Sequence, residues 1–263
     1  MMQQQQLAPS TRSHITLRGS TKIIVEFFEY CINSLLFQRG LYAPEYFKMT
    51  KKYGLNMLVT TDPAIKNHMR LILKQVEAWL MACKVEKLIL AIKSKETMAV
   101  LERWQFDIQN TKDHTSATSS SSAASSSPFS YSSQYHKENM GYSESSSNIG
   151  DGMGTNASSL SSSSSSSSSP PKQKPEKTEK EIQSEIQAIL RQITASVTFL
   201  PMLDEKCTWT ILCQTEKDAE VPATWSDADP HLIHNAEQVK LRSFSTNLHK
   251  IDALVAYRLQ DDL

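Results

Sequence analysis

Residues 207–215 read Cys-Thr-Trp-Thr-Ile-Leu-Cys-Gln-Thr. Cys207, Trp209, Ile211 and Cys213 alternate with Thr208, Thr210, Leu212 and Gln214, and a two-residue period predicts a half-buried β-strand. The C-terminal tail is less regular. Beyond Thr215 the pattern degrades: strands are expected near 239–246 and 254–259, neither keeps a clean period, and Pro222 and Pro230 interrupt the approach to them. A tail with so weakly specified a register can pair in more than one way.

Upstream, the chain predicts three helices and a hairpin. Ile23, Ile24, Phe27, Phe28, Cys31, Ile32, Leu35 and Leu36 recur at helical spacing from Ser20 until Gly40 stops them, an arc wide enough to be covered on more than one side. A second helix opens on Asp62 with Pro63 in its first turn and carries a stripe of Ile65, Met69, Ile72, Leu73, Val76, Trp79, Leu80 and Cys83. Leu88-Ile89-Leu90-Ala91-Ile92 reads as a strand buried on both faces. The next strand sets Val100, Trp104, Phe106 and Ile108 on one face and Arg103, Gln105 and Asp107 on the other, completing an antiparallel hairpin. Thr178 and Glu181 form a capping box ahead of the third helix, whose stripe is Ile182, Ile186, Ile189, Leu190, Ile193 and Val197, ending before Pro201.

Length and composition bound the domain count. Of 263 residues, the serine-dominated stretch from about His114 to Ser169 offers little that could be buried, so the flanking segments are expected to build one core, interrupted by a disordered insertion over 111–175. The first 13 residues read as a flexible extension without signal-peptide character, and no apolar run approaches a membrane span. With 28 basic and 28 acidic residues there is no global field to drive binding to nucleic acid or an anionic membrane. Cys31, Cys83, Cys207 and Cys213 each sit in an apolar pattern and read as reduced thiols serving as small hydrophobes.

Chemical sites find no support in the motifs. Cys207 and Cys213 share a face but lie about 20 Å apart along a strand, too far for one metal. His231 and His234 read as structural or surface residues, since two further ligands would have to come from elsewhere. There is no nucleophile elbow, no phosphate-cradling glycine loop and no basic neighbour to favour a thiolate, so no catalytic, metal or cofactor site is expected and the chain does not read as an enzyme. One place on the third helix stands out. Helical projection sets Arg191 almost opposite the apolar stripe, Gln192 on its flank and Phe199 well outside it, which resembles an interface hot spot if the helix persists that far; if it ends before Thr198, the angle of Phe199 means nothing.

Several strings are similar, in the same order, to the HORMA-domain family and in particular to its spindle assembly checkpoint branch. They are Ile15-Thr16-Leu17-Arg18-Gly19-Ser20, Gln38-Arg39-Gly40-Leu41-Tyr42, Tyr53-Gly54-Leu55 with Leu58-Val59-Thr60-Thr61-Asp62, Leu101 to Asp107, Arg191 to Ala195 with Thr198-Phe199-Leu200-Pro201, and Leu241-Arg242-Ser243-Phe244 with His249-Lys250 and Val255-Ala256-Tyr257. The resemblance implies an α+β HORMA fold over 14–263: three helices packed on an antiparallel sheet, with a mobile C-terminal safety belt from 215 to 263. In the open form the belt covers the sheet edge; in the closed form it crosses to the opposite side, and a partner peptide adds to the vacated edge beneath it. The edge strand maps to 208–214, and the peptide-binding positions to Trp79, Ile211, Leu212, Cys213 and Tyr257.

By the same resemblance Arg191, Gln192 and Phe199 form the interface of an open–closed homodimer. The implied function is that of a checkpoint adaptor acting in the nucleus, at the kinetochore and in the cytoplasm. Its implied partners are a coiled-coil kinetochore receptor and the activator subunit of the anaphase-promoting complex, whose capture delays anaphase. The alternative is another HORMA adaptor, a translesion polymerase subunit or a meiotic axis protein. The serine-rich insertion departs from the family pattern and reads as a neutral loop expansion, with phosphoregulation a weaker option. On that reading, deletion of residues 115–170 is expected to leave thermal stability and peptide affinity nearly unchanged, as measured by calorimetry and peptide titration.

Overall fold

The computed structural model describes residues 15–111, 130–135 and 177–259. The chain divides into two compact units, 1–136 with 176–263, and 137–175. The second unit lies outside the described residues, as do the expected N-terminal extension and most of the insertion.

The first helix, α1, spans Leu17–Gln38, beginning earlier than its apolar stripe because the Thr16 side chain caps Gly19 N at 3.2 Å. It ends where the sequence expects. Gly40 adopts φ +64°, and Gly40 N donates to Phe37 O while Leu41 N donates to Leu36 O, both at 3.1 Å. That pair of bonds satisfies carbonyls the helix end would otherwise leave open, in a conformation glycine adopts without a Cβ penalty. Strands β1 (Phe47–Lys52) and β2 (Leu55–Thr60) then form a separate two-stranded hairpin, turned through Tyr53 at φ 50° and Gly54 at φ 67°. Two consecutive left-handed residues suit a tight hairpin turn. This hairpin is not anticipated from periodicity, because only Phe47, Met57 and Thr60 of its residues are buried.

Helix α2 runs Pro63–Met81, with Asp62 Oδ1 accepting from Ile65 N at 2.9 Å. Strands β3 (Val85–Ser94) and β4 (Val100–Asn110) make the expected hairpin, Leu90 facing Trp104. The strand from 88 to 92 is buried on both faces: Leu88, Leu90 and Ile92 join the main core, while Ile89 and Ala91 meet Leu212 on the far face. Val100 does not share the face of Trp104. The register shifts beside Ile92 and Lys93, and Val100 packs on the Ile89, Ala91 and Leu212 side instead. Cys83 also departs from expectation; it lies exposed in the turn after α2 at φ 57°.

Ser130–Tyr135 forms a strand, β5, so the expectation of disorder throughout 111–175 fails there. A search for periodicity misses it because serine carries no hydropathy signal. Helix α3 (Glu179–Ala195) starts on the capping box, with Thr178 N donating to Glu181 Oε2 at 2.7 Å. It closes in a 3-10 turn over Ser196–Thr198, which leaves Val197 exposed and off the core stripe. Strand β6 (Cys207–Thr215) comes next, and the tail supplies β7 (Ser226–Asp227), β8 (Glu237–Lys240), β9 (Phe244–Ser245) and β10 (His249–Tyr257).

Among the described residues the main sheet has eight strands, in the order β7-β5-β6-β3-β4-β10-β8, with β9 also on β10. The tail is therefore split across both sides of the sheet. Helix α1 lies against the sheet through a ring cluster in which Phe27 is 5.5 Å from Phe28, 5.9 Å from Phe106 and 4.8 Å from Phe244. At one end a buried ion pair ties α1 to β4: Arg39 Nε donates to Glu102 Oε1 at 2.7 Å, and Trp104 Nε1 donates to Glu102 Oε2 at 3.1 Å. Arg39 also donates to Pro201 O, fastening the segment after α3. Burial raises the Glu102 pKa and Arg39 opposes it. Arg39→Ala leaves that carboxylate buried and uncompensated, and is expected to lower the unfolding free energy by about 3–5 kcal/mol in urea titrations; a loss near that of a surface ion pair would refute the role.

Candidate functional site

The site is the outer edge of β6 and the tail segment that encloses it. Along β6 every residue from Trp209 to Thr215 is buried. Trp209, Ile211 and Cys213 point into the helix-covered core and Leu212 into the cluster on the far face. The three positions expected to form peptide pockets, Ile211, Leu212 and Cys213, are thus committed to packing. What β6 presents at its edge is main chain. Burial pushes the Cys213 thiol up, which disfavours the thiolate.

From Thr215 the tail turns back over α2. Glu216 N donates to Lys84 O at 3.0 Å, and Lys84 Nζ pairs with Glu216 Oε2 at 2.6 Å and Asp218 Oδ2 at 2.8 Å. Hydrogen bonds to Asp218 and Glu216 raise the Lys84 pKa and lower that of Asp218. Being exposed, this clamp sets register more than stability. Next to it, Trp79 Nε1 donates to Glu220 O at 2.9 Å and the Trp79 ring meets Trp225 edge-on at 4.9 Å. Trp79 thus serves as a post for the tail. Trp225 escaped the sequence reading although it is an isolated aromatic in a polar stretch, a signal of anchoring.

Past β7 the chain crosses the far face of the sheet. Ala228 packs near Ile89, Ala91 and Leu212, and Arg103 Nε donates to Pro230 O at 3.1 Å. His231 sits in this crossing with Nε2 3.4 Å from Lys93 Nζ and Nδ1 3.7 Å from Asp229 Oδ1. The tail then reaches the opposite side of the sheet, where β10 pairs with β4 over the full stretch from His249↔Asn110 to Tyr257↔Glu102. That course is the one the resemblance describes for the closed form.

Tyr257 consequently does not join the β6 positions. It lies on β10, across β3 and β4 from the edge, with its ring 6.1 Å from that of Phe199. The structure groups it with the other candidate surface. Arg191 is exposed on α3, Gln192 is half-buried, and Phe199 comes after the 3-10 turn with 40% of its surface exposed. The helix stops before Thr198, so helical projection does not place Phe199, yet the turn presents it to solvent. Gln192 Oε1 accepts from Arg242 N at 2.7 Å. Gln192 and Phe199 thus each touch the tail, through Arg242 and Tyr257.

The geometry agrees with that of known proteins. The chain matches the HORMA domain over residues 20–249 and belongs to that family. Within it, the chain is 41% identical over 250 residues to the mitotic spindle checkpoint component mad2 of Schizosaccharomyces pombe, covering 94% of this chain and 96% of the relative. It is 37% identical over 250 residues to the mitotic spindle assembly checkpoint protein MAD2A of Homo sapiens, covering 95% and 96%. A chain in the crystal structure of the mitotic checkpoint complex aligns with a TM-score of 0.66 at 39% identity, covering 92% of this chain and 99% of that one. HTP-2 bound to HTP-3 motif-6, at 11% identity and a TM-score of 0.61, shares the fold, over 96% and 95% of the two chains.

The tail carries two histidines whose pKa is lowered. His249 opens β10 buried, its Nδ1 2.7 Å from Ser20 Oγ and its Nε2 without a hydrogen-bond partner, and burial pushes its pKa below the ordinary 6.5. Burial and then Lys93 lower that of His231, against a smaller opposing pull from Asp229. Both therefore bind protons more readily once released from the fold. Stability is therefore fully present above the ordinary histidine pKa and is lost as pH falls below it. Urea titrations from about pH 7.5 to about pH 5.5 are expected to show unfolding free energy falling by up to ~1.4 kcal/mol per pH unit per histidine, with His249→Gln flattening the slope; an unchanged slope would exclude His249.

Proposed function

We propose that the chain is a spindle assembly checkpoint adaptor that captures an extended segment of the activator subunit of the anaphase-promoting complex and so delays anaphase. The observation that supports it best is the division of the tail: β10 is fully engaged with β4, while 216–227 stays by the β6 edge as an enclosing strap. A peptide added to β6 gains a ladder of main-chain hydrogen bonds and is released only when the strap opens, which makes dissociation slow. The same capture applies to a coiled-coil receptor at the kinetochore. Localisation follows from these partners, at the kinetochore in mitosis with nuclear and cytoplasmic pools.

This reading makes the chain an adaptor and not an enzyme. Arg191, Gln192 and Phe199 form the surface for an open–closed homodimer, and the belt contacts of Gln192 and Phe199 let that surface register which way the belt lies. The likeness to checkpoint relatives along nearly the whole chain favours this reading over a polymerase subunit or a meiotic axis protein.

Two measurements test it. Pull-down is expected to retain a peptide from the checkpoint activator and not one from a translesion polymerase catalytic subunit; the reverse selectivity would move the chain to the other branch. Arg191→Ala is expected to abolish dimerisation in light scattering while leaving activator-peptide affinity within about twofold, since the residue is exposed and remote from β6. Persistent dimers would refute the interface.

A further inference from the structure

The edge that capture requires is already filled. Residues 130–135 pair antiparallel with β6 in continuous register from Ser130↔Thr215 to Tyr135↔Thr210. On their other side the belt adds β7, pairing Ser132 with Asp227 and Ser133 with Ser226. We infer that Ser130–Tyr135 is an internal ligand, held in cis between β6 and the belt in the groove where the proposed function seats a partner peptide, and displaced when that partner binds. The inference rests on that reading for the meaning of the groove. It rests on β5 for the occupant.

Three features single out this segment. It is hydrogen-bonded on both sides, to the edge and to the strap, as a captured peptide must be and a strand merely lying on an edge need not be. Its composition differs from its surroundings: three of the four aromatic residues between 112 and 175, Phe129, Tyr131 and Tyr135, fall within seven positions, and tyrosine and phenylalanine favour strands where serine does not. Its tether is long enough. Asn110 ends β4 at the same end of the sheet as Ser130, three strand spacings or about 15 Å away, while the intervening residues can span roughly 60 Å.

Such tethering gives the segment an effective concentration on the order of millimolar, enough to hold the groove against dilute competitors. Gln214 Oε1 and Thr215 Oγ1, both buried on β6, have no hydrogen-bond partner among the described residues. A partner peptide that supplies donors there gains from satisfying them. The insertion is then a threshold device: the apparent affinity for partners is reduced by the fraction of molecules whose groove is filled. This reverses the expectation that removing the insertion leaves affinity unchanged.

The test uses the full chain and the double variant Ser132→Pro/Ser133→Pro. Successive strand residues direct their N–H groups to opposite sides, so one proline removes a donor to β6 and the other a donor to β7. Amide exchange of 130–135 in the parent chain is expected to be slow and independent of protein concentration, and fast in the variant. A fluorescein-labelled synthetic peptide of residues 128–137 is expected to bind the variant about tenfold or more tighter than the parent. Unprotected amides in the parent, or equal affinity for the two chains, would overturn the inference. So would protection that grows with concentration, which would mean capture between copies. Concentration-independent protection with no binding of the checkpoint-activator peptide to either chain would sink the proposed function and leave the internal occupant standing.

Discussion

A strand at the margin of a sheet cannot be buried on both faces and leave one row of its peptide groups without partners. β6 lies between β5 and β3 and is buried on both faces: its side chains are committed to the two clusters, and β3 satisfies one edge of its backbone. The second edge has to be met by another strand. The belt passes beside it, anchored by Trp79 and Lys84, but itself runs on to the other side of the sheet. The edge is therefore a structural demand of the fold, and β5 meets it.

The belt's far attachment joins the tail to a second surface. β10 brings Tyr257 beside Phe199, and the loop after β8 brings Arg242 N onto Gln192. Phe244 on β9 enters the ring cluster around Phe27 and so ties the belt to the core helix. A belt arranged otherwise would have to give up these contacts together. That shared dependence is a physical basis for a surface whose shape depends on the belt, without a contact between the two sites.

Much of the scaffold was readable in the chain. The stripes of α1, α2 and α3, the Asp62 cap, the Thr178 and Glu181 capping box and the parity of Trp209, Ile211 and Cys213 are local signals that burial requires, and the structure keeps them. The exceptions have local causes as well. Val100 changes face at a register shift, Cys83 falls in a left-handed turn beyond its helix, and Val197 lies past the point where α3 tightens into a 3-10 turn. The β1–β2 hairpin was missed because little of it is buried, so its residues are not constrained to alternate.

The candidate site was legible only in part, for a different reason. The edge strand, the helices behind it and the exposure of Arg191 could be read directly from the order of residues, because each is set by periodicity over near neighbours. Three-dimensional pairing was needed to settle which side of the sheet the tail takes, that Tyr257 joins Phe199 and not Ile211, and that residues 130–135 lie on β6. Those outcomes depend on contacts between segments tens to more than a hundred residues apart. Their hydrogen bonds come from main chain that every residue possesses, so nothing in a side-chain pattern records which strand will be the partner.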